Sequence, residues 1–332
     1  ERADGGLKVA FTDGTAMNAG AVILALGVAP ETTLAKQAGL ELAANGGIKT
    51  NEFMRTSDED IFAAGDAVSV IGADGGETLI PLAGPANRQG RSVAANLLGD
   101  RESNGRAVLG ASVVKVFDLT AASVGRNEKQ LQKAGVKYKK AYAFPMTHAG
   151  YYPGATQLTL KLLFGEDGEI YGVQAAGREN VEKQIDVISA VMKLGGTVHD
   201  LAQMELCYAP PYNSAKSPVN MLGFIAENIL SGLCPTTYAE NLKKGDFVLD
   251  VRMPGECARG GIPGAVNIPL DVLRDHIDEL PKDKKIIVSC AVGLRGYLGT
   301  RILRQHGFDA VNLSGGYRVY SLCSRAGMLQ ND

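Results

Sequence analysis

The sequence predicts a multidomain chain of α/β and α+β type, and three observations carry that reading. Apolar runs that end in glycine-bearing turns and feed helical segments fill residues 1–106. Alternating strands followed by amphipathic helices fill 107–232, an α+β pattern. From 236 to 328 short apolar strands again alternate with helices, which implies a small parallel sheet covered on both faces. With 332 residues there is chain enough for two or three separate cores.

In the first region, residues 7–11, the turn Asp13-Gly14 and the apolar run 21–26 read as strands of a sheet whose other members are expected upstream. The run 21–26 ends at Gly27, and a short helix is expected over 31–38. A second strand, 61–64, ends in Gly65-Asp66, and a helix is expected from near Pro85 to Leu98. In the second region strands are expected at 112–117, 137–144, 157–164 and 170–176, with a hairpin at Gly165-Glu166-Asp167-Gly168. Helices at 179–194 and 216–231 follow, and Cys234-Pro235-Thr236-Thr237 reads as a linker. The third region offers strands at 246–251, 264–268, 285–290 and 309–313, with helices at 270–280 and 297–306.

Composition narrows the function. A formal net charge of −2, with no run of like charge, gives no field to draw nucleic acid or anionic lipid. No stretch is apolar for the roughly eighteen residues of a membrane span, and Glu1-Arg2-Ala3-Asp4 is no signal-peptide start. The five cysteines (Cys207, Cys234, Cys257, Cys290, Cys323) include no CxxC pair, so reduced thiols and a cytoplasmic location are expected. His148, His199, His276 and His306 are scattered without metal-ligand spacing, so no metal is expected.

Cys290 carries the sharpest chemical signal. It closes an apolar strand, and Ala291-Val292-Gly293-Leu294-Arg295-Gly296 leads at once toward a helix. Glycines let such a loop curl so that backbone N–H groups converge, and the helix end adds partial positive charge. A thiolate or persulfide anion is favoured there, with Arg295 supplying a full charge. A cysteine phosphatase would need five residues between Cys and Arg, whereas here there are four, and the shorter cradle suits sulfur better than phosphate.

This loop, with Asp250-Val251-Arg252-Met253-Pro254-Gly255-Glu256 and Gly261-Ile262-Pro263-Gly264-Ala265-Val266-Asn267-Ile268-Pro269, closely resembles the rhodanese family over residues 240 to 320. The resemblance implies that Cys290 accepts sulfane sulfur as a persulfide and that Arg295 helps to hold it. Gly261 stands where many members have His, and Gly296 where Ser is frequent, which bears on acceptor preference.

A carboxylate after a buried strand, as in Gly65-Asp66, can accept a hydrogen bond from a sugar-like hydroxyl, although the pair alone is more often only a turn. The longer strings Thr56-Ser57-Asp58-Glu59-Asp60-Ile61-Phe62-Ala63-Ala64-Gly65-Asp66-Ala67 and Val22-Ile23-Leu24-Ala25-Leu26-Gly27-Val28-Ala29-Pro30 resemble the pyridine-nucleotide-disulfide oxidoreductases. That likeness implies a partial FAD- and NAD(P)-binding, Rossmann-like region. Asp66 after Gly65 would meet the flavin's ribityl chain, the helix after Leu82-Ala83-Gly84-Pro85 would point at its ring through Ala83, and Gly27 would end the last nicotinamide-domain strand.

His148-Ala149-Gly150-Tyr151-Tyr152-Pro153-Gly154 and Tyr208-Ala209-Pro210-Pro211-Tyr212-Asn213-Ser214-Ala215-Lys216 resemble the dimerisation domain of the coenzyme A disulfide reductase branch. Plain loop rigidity is the alternative. In the branch Tyr208 and a tyrosine of the first motif, taken as Tyr151 rather than Tyr152, reach the partner subunit's flavin. Together these likenesses imply a homodimeric, FAD-, NAD(P)H- and coenzyme A-dependent reductase of coenzyme A disulfide, persulfide or polysulfide. Its parts would be 1–106 (the C-terminal parts of the NAD(P)- and FAD-binding domains), 107–232 (dimerisation) and 236–328 (rhodanese). No GxGxxG and no cysteine before Cys207 is present, so the chain is expected to be the C-terminal portion of such an enzyme. A sulfur carrier with a dimerising scaffold, or an NADH oxidase or peroxidase, are the alternatives.

Overall fold

The computed structural model describes residues 2–3, 5–105 and 107–329. The chain divides into two compact units, one of residues up to 71 with 76–105, the other of 72–75 with 107 onward.

In the first unit, β1 (Arg2–Ala3), β2 (Gly6–Ala10) and β3 (Ala16–Ala19) form an antiparallel sheet in that order. The β2–β3 turn is set by Asp13, whose carboxylate accepts from the Thr15 N–H at 2.9 Å, and by Gly14 at φ +86. After α1 (Thr33–Gln37), a small hairpin of β4 (Val70–Ile71) and β5 (Glu77–Thr78) precedes α2 (Ala83–Leu97). The expected strand 21–26 does not form: Ile23 is 91% and Leu26 88% exposed. A continuous apolar run becomes a buried strand only when neighbouring strands cover it, and none does so among the described residues. The expected strand 61–64 is reduced to one bridge between Phe62 and Arg55. α2 starts at Ala83, two residues before Pro85, and is anchored by polar side chains: Ser92 Oγ donates to the Glu102 carbonyl at 2.8 Å and Asn96 to that of Phe53 at 3.0 Å.

The second unit contains two sheets. The first is antiparallel, in the order β6-β7-β10-β9-β8, from β6 (Ser112–Val116), β7 (Leu119–Gly125), β8 (Lys139–Ala143), β9 (Thr159–Phe164) and β10 (Ile170–Gly177). A short helix, α3 (Glu128–Lys133), joins β7 to β8. α4 (Val181–Lys193), α5 (Val198–Gln203) and α6 (Pro218–Leu230) bury their apolar stripes with this sheet, around Leu160, Leu162, Val173, Ile188 and Leu222. α5 and α6 approach so closely that a Cβ at Gly223 would lie 2.3 Å from the Ala202 nitrogen.

The second sheet is parallel, in the order β11-β15-β14-β12-β13. Its strands are β11 (Thr236–Thr237), β12 (Phe247–Asp250), β13 (Val266–Asn267), β14 (Ile286–Ser289) and β15 (Ala310–Leu313). β14 alternates across the sheet: Ile286 and Val288 enter one core with Leu249 and Leu303, while Ile287 enters the other with Val248 and Leu313. α7 (Pro254–Cys257), α8 (Leu294–Gln305) and α9 (Gly316–Arg325) complete the layers, and 270–279 is 3₁₀ helix with a kink at His276. The expected linker is instead an edge strand, since Thr236 and Thr237 pair with Asn312 and Leu313.

Candidate active site at the thiol loop

Cys290 follows the central strand β14 and is 1% exposed. The chain then turns through Gly293 at φ +114, and the Gly293 N–H donates to Cys290 Sγ at 3.0 Å. The donor lies at the start of α8, so the sulfur receives both a hydrogen bond and the positive end of the helix.

The floor of the loop is held by α9. The N–H groups of Tyr317 and Arg318 donate to the carbonyls of Cys290 and Ala291 at 2.8 and 3.0 Å. This approach depends on Gly316, at φ +52, where a Cβ would lie 2.2 Å from the Cys290 carbonyl oxygen.

Two ion pairs flank the loop. Arg295 makes a two-pronged pair with Glu256, each nitrogen 2.7 Å from a carboxylate oxygen. Chiefly through that pairing, the Glu256 carboxyl is held down at about 2. Deeper, Arg252 bonds both Asp250 oxygens at 2.7 to 3.0 Å, donates to the Gly260 carbonyl at 2.9 Å and lies over the Tyr317 ring at 4.6 Å. Arg295 thus stands beside the loop, where sequence reasoning put it, but its guanidinium engages a carboxylate. Glu256, Asp250, Arg252 and Gly316 were not assigned roles from sequence. The carboxylates sat within a quoted motif, yet their partners are set by the fold.

Against the same loop lies a cavity of about 340 Å³, walled by Phe144, Phe224, Ile225, Leu294 and Tyr297, with Lys216 at its edge. Cys234 also lines it, and burial pushes that thiol up to about 11, which keeps it protonated and inert.

Elsewhere in this unit, Tyr151 and Tyr208 are both exposed, and the Tyr208 hydroxyl bonded to that of Tyr151 raises the Tyr151 pKa. Tyr152 instead packs edge-on against His148 at 5.9 Å. His148 is buried between the Thr147 hydroxyl and the Pro153 carbonyl, at 3.2 and 3.3 Å, and so shapes the loop.

In the first unit Gly65, at φ +98, donates its N–H to the buried Gln89 of α2 at 2.7 Å. That bond ties the Gly65-Asp66 turn to the helix whose first residue is Ala83. Asp66 and Ala83 are exposed, and no side chain caps the start of α2. Gly27 is exposed at φ +85 in a segment without regular structure. Among the described residues no cluster of three or more His, Cys, Asp or Glu is placed to hold a metal, and no helix is long and apolar enough to cross a membrane.

Residues 1–90 match the model of the pyridine nucleotide-disulphide oxidoreductases, 111–218 that of the dimerisation domain of the same group, and 235–323 that of the rhodanese-like domain. The crystal structure of reduced Bacillus anthracis CoADR-RHD is 44% identical with a TM-score of 0.92, over 97% of this chain and 59% of that one. An NAD-dependent persulfide reductase from A. fulgidus is 37% identical with a TM-score of 0.89, over 95% of this chain and 58% of that one. A Methanocaldococcus jannaschii protein named NADH oxidase is 35% identical over 216 residues, 65% of this chain and 48% of its own length. The chain thus spans about half the length of the curated relatives it matches.

Proposed function

We propose that this chain, which belongs to the pyridine nucleotide-disulphide oxidoreductase family and ends in a rhodanese-like domain, works in a flavin-dependent NAD(P)H reductase of coenzyme A disulfide, coenzyme A persulfide or polysulfide, with Cys290 carrying sulfane sulfur. The observation that carries this reading is the Gly293 N–H directed at Cys290 Sγ, 3.0 Å away, at the head of α8. A thiolate is stabilised there, and so is the persulfide that replaces it. The Cys290 thiolate attacks the outer sulfur of a donor, the donor's S–S bond breaks, and the electron pair leaves on the departing thiolate. The transfer is redox-neutral, and reduction is left to the flavin side.

The first unit suits part of an FAD. Asp66 offers an exposed acceptor for a ribityl hydroxyl, and the uncapped start of α2 at Ala83 offers N–H groups toward an electron-rich ring. Gly65 gives that turn its left-handed geometry, and Gly27 closes the nicotinamide-side segment. FAD bound there would supply two-electron transfer from NAD(P)H to a sulfur substrate. Tyr151, not Tyr152, pairs with Tyr208 as the aromatic contribution to the partner subunit's site in a homodimer. The parts are assigned as 1–106 for cofactor binding, 107–232 for dimerisation and 236–328 for sulfur carriage. Five free cysteines suit the cytoplasm. An NADH-oxidase reading leaves the Cys290 loop without a task.

Cys290→Ser is expected to abolish sulfur transfer while leaving reduction of coenzyme A disulfide intact. Sulfur transfer at the wild-type rate in that variant refutes the assignment. An FAD absorbance band with sulfur-dependent NADH oxidation excludes the sulfur-carrier-with-scaffold alternative.

A further inference from the structure

The cavity beside the thiol loop carries charge of one sign. Lys216 is the single charged side chain among the described residues that line it, and no carboxylate does so. Its ammonium enters no ion pair among the described residues. Lys216 directly precedes Ser217, the residue that caps α6, so the positive end of that helix adds to its charge. A second cation stands by the wall: the Arg318 guanidinium lies over the Phe144 ring at 5.4 Å and bonds the neutral side-chain amide of Gln157. The remaining wall is mostly apolar, with Phe144, Phe224 and Ile225 on one side and Val292 and Leu294 on the other. Gly293, whose N–H lies 3.0 Å from Cys290 Sγ, is part of that wall.

We infer that this cavity seats the body of a small thiol carboxylate that takes sulfur from Cys290, with its carboxylate at Lys216 and its sulfur at the thiol loop. The inference rests on the sulfur-transfer reading of Cys290 and adds to it the chemical class of an acceptor. An apolar wall holds a hydrocarbon chain by burial, and an ammonium that no carboxylate of the protein neutralises holds a singly charged acid group. A cavity of about 340 Å³ lies at the lower end of the range for ligand pockets and suits a chain of about ten non-hydrogen atoms. Once Cys290 is loaded, the outer sulfur of its persulfide stands about 2 Å beyond Sγ. The acceptor thiolate R–S⁻ attacks that outer sulfur, a new S–S bond forms, and the S–S bond to Cys290 breaks. The electron pair returns to Sγ, where the Gly293 N–H receives the thiolate, and the proton stays with the transferred sulfur as R–S–SH. The step is redox-neutral. Lys216 is therefore a specificity residue that acts on the acceptor's carboxylate, away from the sulfur.

The test loads Cys290 of the full chain with inorganic polysulfide, removes the excess, and compares 6-mercaptohexanoate with 6-mercaptohexanol, two thiols of one chain length that differ in charge. The carboxylate should take up sulfur with a rate constant about fivefold higher, the scale of one partly exposed ion pair. High salt and Lys216→Gln should each erase that ratio, and Lys216→Arg should keep it. Phe224→Trp, on α6 and apart from the thiol loop, narrows the cavity and should slow both thiols. Equal rate constants for the two thiols in the wild-type protein overturn the inference, as does a ratio that survives Lys216→Gln or a folded Phe224→Trp variant that slows neither. Should Phe224→Trp fail to fold, the wild-type and Lys216 comparisons decide without it. Failure of Cys290 to take up sulfur from polysulfide at all overturns the sulfur-transfer reading itself, a separate outcome.

Discussion

Gly316 shows how much of the site depends on a single missing Cβ. With its φ of +52 and only 2.2 Å to the Cys290 carbonyl oxygen, Gly316→Ala must push α9 away from the thiol loop. A loss of about 2–4 kcal/mol is expected from the clash and the strained backbone together, read as a lower urea midpoint, with sulfur transfer falling in step. The turn that carries Cys290 was legible in sequence because it is local: strand end, glycine and helix start lie within six residues. The partner of Arg295 was not, since Glu256 is 39 positions away and reaches it only after β12 and β14 pair. Gly296 follows the same logic. A Cβ there would lie 2.4 Å from Asn312 Oδ1, a buried oxygen without a partner among the described residues, so the serine frequent in the family needs Asn312 to turn.

Strand β8 is linked to α3 and to the turn of residues 238–241 that follows β11 by an ion cluster that no periodicity foretells. Lys140 is 5% exposed and bonds Glu128 at 2.7 Å and Glu240, while its ammonium lies 4.6 Å from the Tyr238 ring centre. Burial opposes the charge on Glu128, but Lys140, Lys161 and Tyr138 outweigh it and hold the carboxyl at about 2. Burial likewise works against the charge on Lys140, and Glu128 and Glu240 outweigh it and raise its pKa. Since the Glu128 pKa is depressed by folding, its contribution is complete above the ordinary carboxylate pKa near 4.5 and is lost as pH falls toward 2. Glu128→Gln should therefore cost about 2–3 kcal/mol at pH 7 and progressively less below pH 4.5, measured by urea unfolding across that range. Elements with their own cover, such as β14 and α4, followed the sequence pattern. The run 21–26 did not, because its apolar residues lack neighbouring strands among the described residues.

Across the molecule, the β6–β7 edge leaves Val113, Val114, Val116 and Leu119 each more than half exposed and Phe117 at 92%. An apolar edge of this kind in a dimerisation domain is expected to be covered by a second copy. Val114→Glu with Val116→Glu should shift the sedimentation velocity profile from dimer to monomer, and an unchanged profile places the dimer contact elsewhere. The order of the three parts was legible from short motifs, whereas the Asp250–Arg252 and Glu256–Arg295 pairs beside the thiol loop were visible only once the chain was folded. The most direct measurement is intact and peptide mass spectrometry of the protein after exposure to an alkyl persulfide. The expected result is one added sulfur atom on Cys290, removed by a thiol reductant and absent in Cys290→Ser. Sulfur found on Cys207, Cys257 or Cys323 instead, or none on Cys290, contradicts the assignment.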